Sequence, residues 1–90
     1  MNEKYEVLLG HCRHHPIIGM YLQDDVPTFE YIMQVLDMLN AEEQIMVKVG
    51  YAFYQNDVSA SIQDLLQLSD IMFERVIDAL KIQRKQLRYL

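Results

Sequence analysis

Residues that could do chemistry gather at one place in the sequence, the stretch from His11 to His15. It holds all three histidines and the only cysteine, Cys12, and imidazole with thiolate is a ligand set that suits zinc. Adjacent side chains do not readily converge on one tetrahedral ion, and no CxxC pair completes a site. We therefore predict a polar loop without metal, in which one or two side chains pair with carboxylates or carbonyls: His11, Cys12, His14 and His15.

The same stretch also holds side chains of the types used in covalent catalysis. Cys12 beside His11 or His14 offers a nucleophile and a base, but no orienting group, and such sites are assembled across a fold rather than between sequence neighbours. The acidic pairs Asp24–Asp25 and Glu42–Glu43 lie at predicted helix starts, where the helix dipole explains them. The sequence predicts no enzyme, no cofactor and no small-molecule substrate.

Length and composition indicate a single folded domain. The chain has 90 residues, 51% of them hydrophobic, which predicts one folded domain over residues 1–90. A single cysteine forms no internal disulfide, and no apolar run approaches the roughly 18 residues of a membrane span. We expect a cytoplasmic protein that does not enter the membrane.

Apolar spacing predicts an all-α fold, a compact bundle of about five helices with the last one longest or nearly so. A short helix should run from Asn2 to Leu9, followed by a loop over residues 10–16. A central helix should extend from Thr28 to Leu39, and a third from Ala41 to Gln55.

Two helix starts are marked by capping residues. Asn40 with Glu43 fits a reciprocal capping box, and Ser61 with Asp64 is a shorter version of it. A short helix should follow Ser61, and the last helix should run from about 70 to 87. We expect the core side of that last helix to comprise Phe73, Val76, Ile77, Leu80 and Leu87.

Residues 61–88 also have the outline of a DNA-binding helix-turn-helix. Its phosphate contacts would be Lys81, Arg84, Lys85 and Arg88. Its second helix begins with acids, however, and residues 1–80 carry a formal charge of −9 against +4 for residues 81–90, which disfavours nucleic acid. A DNA-binding transcriptional regulator is therefore the alternative function.

The leading hypothesis is a non-enzymatic protein-protein interaction module. A chain this short buries only part of its surface, and it carries six tyrosines and six methionines, which are enriched at protein interfaces. The partner would be a second copy, as a homodimer, or a regulatory or host protein. The residues expected to contact the partner are Tyr31, Met38, Tyr51 and Tyr54.

The C-terminal half resembles small uncharacterised helical proteins of Gram-positive bacteria and their mobile elements. The segments that carry this resemblance are VGYAFYQND, SIQDLLQLSD and FERVIDALKIQR. They cover about half of the chain and match in apolar spacing more than in identity. The resemblance implies a bacterial or phage setting and brings no functional residues with it.

Overall fold

Five α-helices and no strand make up the part of the chain that the computed structural model describes, residues 1–56 and 60–88. The helices are α1 (Glu3–Leu9), α2 (Phe29–Gln34), α3 (Ala41–Gln55), α4 (Ile62–Leu66) and α5 (Asp70–Arg88). Three short 3₁₀ helices join them, at Gly10–His14, Ile18–Leu22 and Leu36–Met38. The predicted all-α class is confirmed, and α5 is the longest helix described, at 19 residues.

Capping side chains fix the starts of α3 and α4. Asn40 Oδ1 accepts from the Glu43 N–H at 2.8 Å, and Glu43 Oε1 accepts from the Asn40 N–H at 3.1 Å. Ser61 and Asp64 make the same reciprocal pair, at 3.1 and 3.2 Å. Each box satisfies backbone N–H groups that have no partner inside the helix. Both predicted starts are confirmed, and the Ser61 box is complete.

One hydrophobic core lies between the N-terminal half of the chain and the long helices. Tyr5, Leu8 and Leu9 of α1 are buried in it. The other buried side chains of this core are Cys12, Ile18, Leu22, Phe29, Ile32, Leu39, Met46, Val47, Val49, Val76 and Ala79. Because α1 and the segments after it supply much of the core, residues 1–39 are structural and not an appendage.

Two local predictions are wrong. The expected loop after α1 contains a 3₁₀ helix, Gly10–His14, which turns the chain so that the Cys12 side chain enters the core. The expected helix to Leu39 ends at Gln34, where Val35 departs from helical dihedrals. This break lets the chain become extended at Leu39 and Asn40, which is the backbone conformation that an N-cap requires.

The last helix packs mainly on α1 and also on α3. Val76 and Ala79 are buried in this contact, and Lys4 Nζ donates to Gln83 Oε1 at 2.7 Å and to Gln86 Oε1 at 3.1 Å. These contacts fix which side of α5 faces the core. Within residues 1–56 and 60–88, no helix combines the length and the apolar character needed to cross a bilayer.

Candidate interaction surface

The outer side of α5 carries large apolar side chains that the fold leaves in solvent. Phe73 is 38% exposed, Leu80 44% and Leu87 59%, and Ile77 between them is half-buried. Their spacing of four, three and seven residues places them along one side of the helix. We name these four residues, Phe73, Ile77, Leu80 and Leu87, the α5 stripe.

The prediction of which side of the last helix faces the core is wrong for most of the α5 stripe. We expected Phe73, Leu80 and Leu87 on the core side with Val76, whereas the helix docks through Val76 and Ala79 and leaves those three exposed. Two neighbouring apolar rows run along this helix, and both follow helical spacing. Periodicity identifies the two rows but does not decide which of them meets the core, because that depends on where α1 and α3 lie.

Charged residues flank the α5 stripe and change sign along the helix. The first half of this flank carries Asp70, Glu74 and Asp78, and the second half carries only bases, all of them exposed. Four bases at the end of α5 line one shallow depression on the surface: Lys81, Arg84, Lys85 and Arg88. The outer side of α5 is therefore an apolar row beside a row that is acidic first and basic later.

The four residues expected to contact a partner fall into separate places. Tyr54 stacks on Phe29 with ring centroids 5.5 Å apart, and Tyr51 lies 6.4 Å from Tyr54. Tyr31 stacks on Tyr21 at 5.5 Å, and no ring contact among residues 1–56 joins Tyr31 to Tyr51 or Tyr54. Tyr31 and Tyr54 are exposed, and Tyr51 is half-buried.

Met38, the fourth of these residues, is also exposed, at the end of the 3₁₀ helix Leu36–Met38. The structure therefore brings together Tyr51 and Tyr54 of the predicted set. Sequence reasoning missed the α5 stripe as a surface feature. The available signal was the seven-residue spacing of Phe73, Leu80 and Leu87, which is also the spacing of a helix-helix seam.

Cys12 is the centre of a second cluster, formed where the Gly10–His14 turn meets the start of α3. His11 Nε2 lies 3.5 Å from Cys12 Sγ, and the thiol donates to Glu43 Oε2 at 4.0 Å. Arg75 Nη1 lies 3.5 Å from His11 Nδ1. Since a guanidinium only donates, His11 Nδ1 accepts and Nε2 carries the proton of the neutral ring. The four side chains form a chain of polar contacts between three elements.

Burial governs the ionisation of this cluster. Burial is the main cause that raises the pKa of the Cys12 thiol, the Glu43 carboxylate adds to the rise and Arg75 opposes it, and the pKa is raised to about 12 in all. Burial also lowers the pKa of His11, with the Arg75 guanidinium as the next cause. A neutral thiol and a neutral imidazole are the favoured forms, so Cys12 is a poor nucleophile at neutral pH.

The same cluster has ligand types for a metal ion. One ligand atom each from His11, Cys12 and Glu43 lies within 4.8 Å of the others, a spacing that three ligands of a zinc ion could adopt. Two features oppose a cation there. The Arg75 guanidinium adds a positive charge beside His11, and zinc requires the thiolate that burial disfavours. We interpret the cluster as the satisfied polar contacts of a buried thiol.

The other two histidines are placed away from this cluster. His14 is exposed, and His15 Nδ1 accepts from the backbone N–H groups of Ile17 and Ile18 at 3.3 and 3.2 Å. His15 thus stabilises the turn into the next 3₁₀ helix. The predicted pairing of one or two residues of this stretch with a carboxylate is confirmed for Cys12.

The segment from α4 to α5 does form a short helix, a brief turn and a long helix. The turn is fixed by Glu42 of α3, whose Oε2 accepts from the Ser69 N–H at 2.6 Å. The first exposed charges of α5 are acidic, as the sequence indicated.

Comparisons of the chain with protein-family models, with curated proteins and with solved structures each found no match.

Proposed function

We propose that this chain is a non-enzymatic protein-protein interaction module of the cytoplasm, in a bacterial or phage setting, whose contact surface is the α5 stripe. The observation that carries the proposal is the exposure of Phe73, Leu80 and Leu87 in one row on α5, the longest of the described helices. Apolar side chains scattered singly over a surface need no explanation, but several of them in one row along a helix, edged by charges, are typical of an interface.

The alternative uses of the molecule have weaker support. The polar cluster around the buried Cys12 lacks an ionised nucleophile, and the predicted contact tyrosines divide between two places on the fold. Tyr31, Met38, Tyr51 and Tyr54 remain proposed secondary contacts. Among them Tyr31, Met38 and Tyr54 have exposed surface to offer a partner.

The test compares two substitutions on opposite sides of one helix. Leu80→Ser removes the middle of the α5 stripe, while Ile71→Ser is the matched control because Ile71 is 69% exposed and lies half a helical rotation away. We would measure solution mass by light scattering over a range of concentrations, and capture of proteins from a bacterial lysate.

Leu80→Ser should abolish association that Ile71→Ser retains. Circular dichroism on both variants checks that the fold is unchanged. The proposal would be refuted if the wild-type chain stays monomeric and if it captures the same proteins from the lysate as the Leu80→Ser variant. A second pair, Tyr31→Ser and Met38→Ser, measures whether those residues contribute.

A DNA-binding regulator is the second candidate, favoured by one observation. The four bases that line one depression, Lys81, Arg84, Lys85 and Arg88, form a compact positive surface at the end of α5. If they contact phosphates, affinity for a duplex should fall steeply as salt rises. The logarithm of the association constant should fall against the logarithm of the salt concentration with a slope of roughly 0.9 for each phosphate contacted. Fluorescence anisotropy with a labelled duplex at several salt concentrations tests this, and undetectable binding at low salt excludes it.

A further inference from the structure

We propose that a second copy of this chain covers the α5 stripe, with the two α5 helices packed antiparallel about a two-fold axis near Leu80. The inference rests on the proposed function and names the partner. It is carried by two features of α5: the spacing of its exposed apolar row and the charge order of the flank beside that row.

The spacing is that of a helix-helix seam. Phe73, Ile77, Leu80, Arg84 and Leu87 follow one another at intervals of four, three, four and three residues, an average of 3.5 that keeps a row against a second helix. From Phe73 to Leu87 the row is about 21 Å long at 1.5 Å per residue. Arg84 interrupts it, but its aliphatic stem can lie along an apolar neighbour while its guanidinium reaches the edge.

The flanking charges decide the direction of the second helix. The charged residues of this flank recur every three or four residues and are all exposed, with acids before Leu80 and bases after it: Asp70, Glu74, Asp78, Lys81, Lys85 and Arg88. In a parallel pair the two-fold axis runs along the helices and puts the charged flanks of the two copies on opposite sides of the seam, so their charges do not meet. In an antiparallel pair the acidic half of each copy lies beside the basic half of the other.

An axis near Leu80 also matches the apolar residues. Phe73 then lies toward Leu87 of the second copy, Leu80 lies beside its own equivalent, and Glu74 lies toward Arg88 of the second copy. A two-fold axis repeats each of these pairs, so one surface is complementary to itself. A different protein would need to present the same order of charge along a helix, which this chain already supplies.

Chemical crosslinking tests the direction. Cys12 is buried and protonated, so the parent chain is the control that should not react with a short bis-maleimide. Phe73→Cys alone should give little crosslinked dimer, because the two copies of residue 73 would lie about 21 Å apart. An equal mixture of Phe73→Cys and Leu87→Cys should crosslink efficiently. A parallel pair would reverse this result, with Phe73→Cys crosslinking to itself, and would overturn the proposal.

Charge reversal tests the pairing without cysteine. Glu74→Lys and Arg88→Glu should each weaken the dimer by roughly five-fold in dissociation constant, since each sets two like-charge pairs at the interface. The double variant should return to the wild-type constant. Residues 74 and 88 are about 21 Å apart within one copy, so rescue reports a contact between copies. Sedimentation equilibrium would measure the constants at low salt.

The outcomes separate this inference from the proposed function. A wild-type chain that is monomeric at every concentration, while it captures a protein that Leu80→Ser does not, would refute the dimer and leave the interaction surface in place. A monomer that captures nothing would remove both. A dimer with the mixed crosslink and charge rescue supports both.

Discussion

The backbone of Gly50 lies directly against the ring of Phe29. A methyl group placed on Gly50 would lie 3.1 Å from Phe29 Cζ and 3.5 Å from Leu9 Cδ1. Gly50 is in the interior of α3, and its neighbour there is one fully buried aromatic ring. Three elements therefore meet at a position without a side chain.

Gly50→Ala should lower the free energy of unfolding by about 1 kcal/mol. Alanine favours the helix by about 1 kcal/mol, but inserting a methyl group into a packed site costs roughly 1–3 kcal/mol, and the Phe29 ring has no exposed side toward which to move. Urea unfolding would measure the change. In a Phe29→Leu background the same substitution should become neutral or stabilising, since the smaller side chain makes room. Equal effects in both backgrounds would contradict the contact.

Truncation to alanine should lower the free energy of unfolding far more at the buried Leu8 than at the exposed Leu80. Leu8→Ala removes a fully buried side chain and should cost roughly 2–5 kcal/mol of unfolding free energy. Leu80→Ala, on the α5 stripe, should cost less than about 1 kcal/mol when measured at a concentration where the chain is monomeric. Urea denaturation of both variants gives the comparison. A large loss at Leu80 under those conditions would place it in the core and remove the basis of the interaction surface.

Asn40→Ala should lower the free energy of unfolding by about 1 kcal/mol. It removes the oxygen that accepts the Glu43 N–H at 2.8 Å and leaves that donor without its cap. Asn40→Asp is the matched control, because aspartate keeps an accepting oxygen and should lie close to the wild type. Thermal and urea unfolding measure both. If Asn40→Asp lowers the free energy of unfolding as much as Asn40→Ala does, loss of the cap does not account for the effect.

Alkaline pH should destabilise the fold through Cys12. Its pKa is raised to about 12 in the folded chain, whereas an unfolded thiol ionises near about 8.5. Between these values the unfolded chain releases a proton that the folded chain keeps, so the free energy of unfolding falls as pH rises. One unit above the unfolded pKa the loss is about 1.4 kcal/mol.

Cys12→Ala isolates this contribution from the tyrosines and lysines, which titrate in both chains. The difference in unfolding free energy between wild type and variant should narrow as pH rises from about 8 to about 10. A difference that stays constant over that range would show that the thiol does not keep its proton on folding. The same neutral thiol should react slowly with maleimides in the folded chain.

Local chemistry in the sequence determined the starts of α3 and α4 and the extent of α3. Asn40 with Glu43 and Ser61 with Asp64 were predicted as caps and are caps, and α3 begins and ends where the apolar spacing placed it. These features depend on residues within one or two turns of each other, so the sequence alone carries them. The break at Val35 was not predictable in this way, because the direction that the chain takes from Val35 to Leu39 depends on how the helices pack and not on neighbouring residues.

Tertiary structure decided which apolar row of α5 is buried and which residues meet Cys12. By spacing alone, Phe73 and Val76 are equally good core positions, and only the packing of α5 on α1 and α3 buries Val76 and leaves Phe73 exposed. The contacts of Cys12 with Glu43 and of His11 with Arg75 join residues far apart in sequence. Periodicity describes one helix at a time, whereas burial depends on how several helices pack together, and that information lies in no single segment.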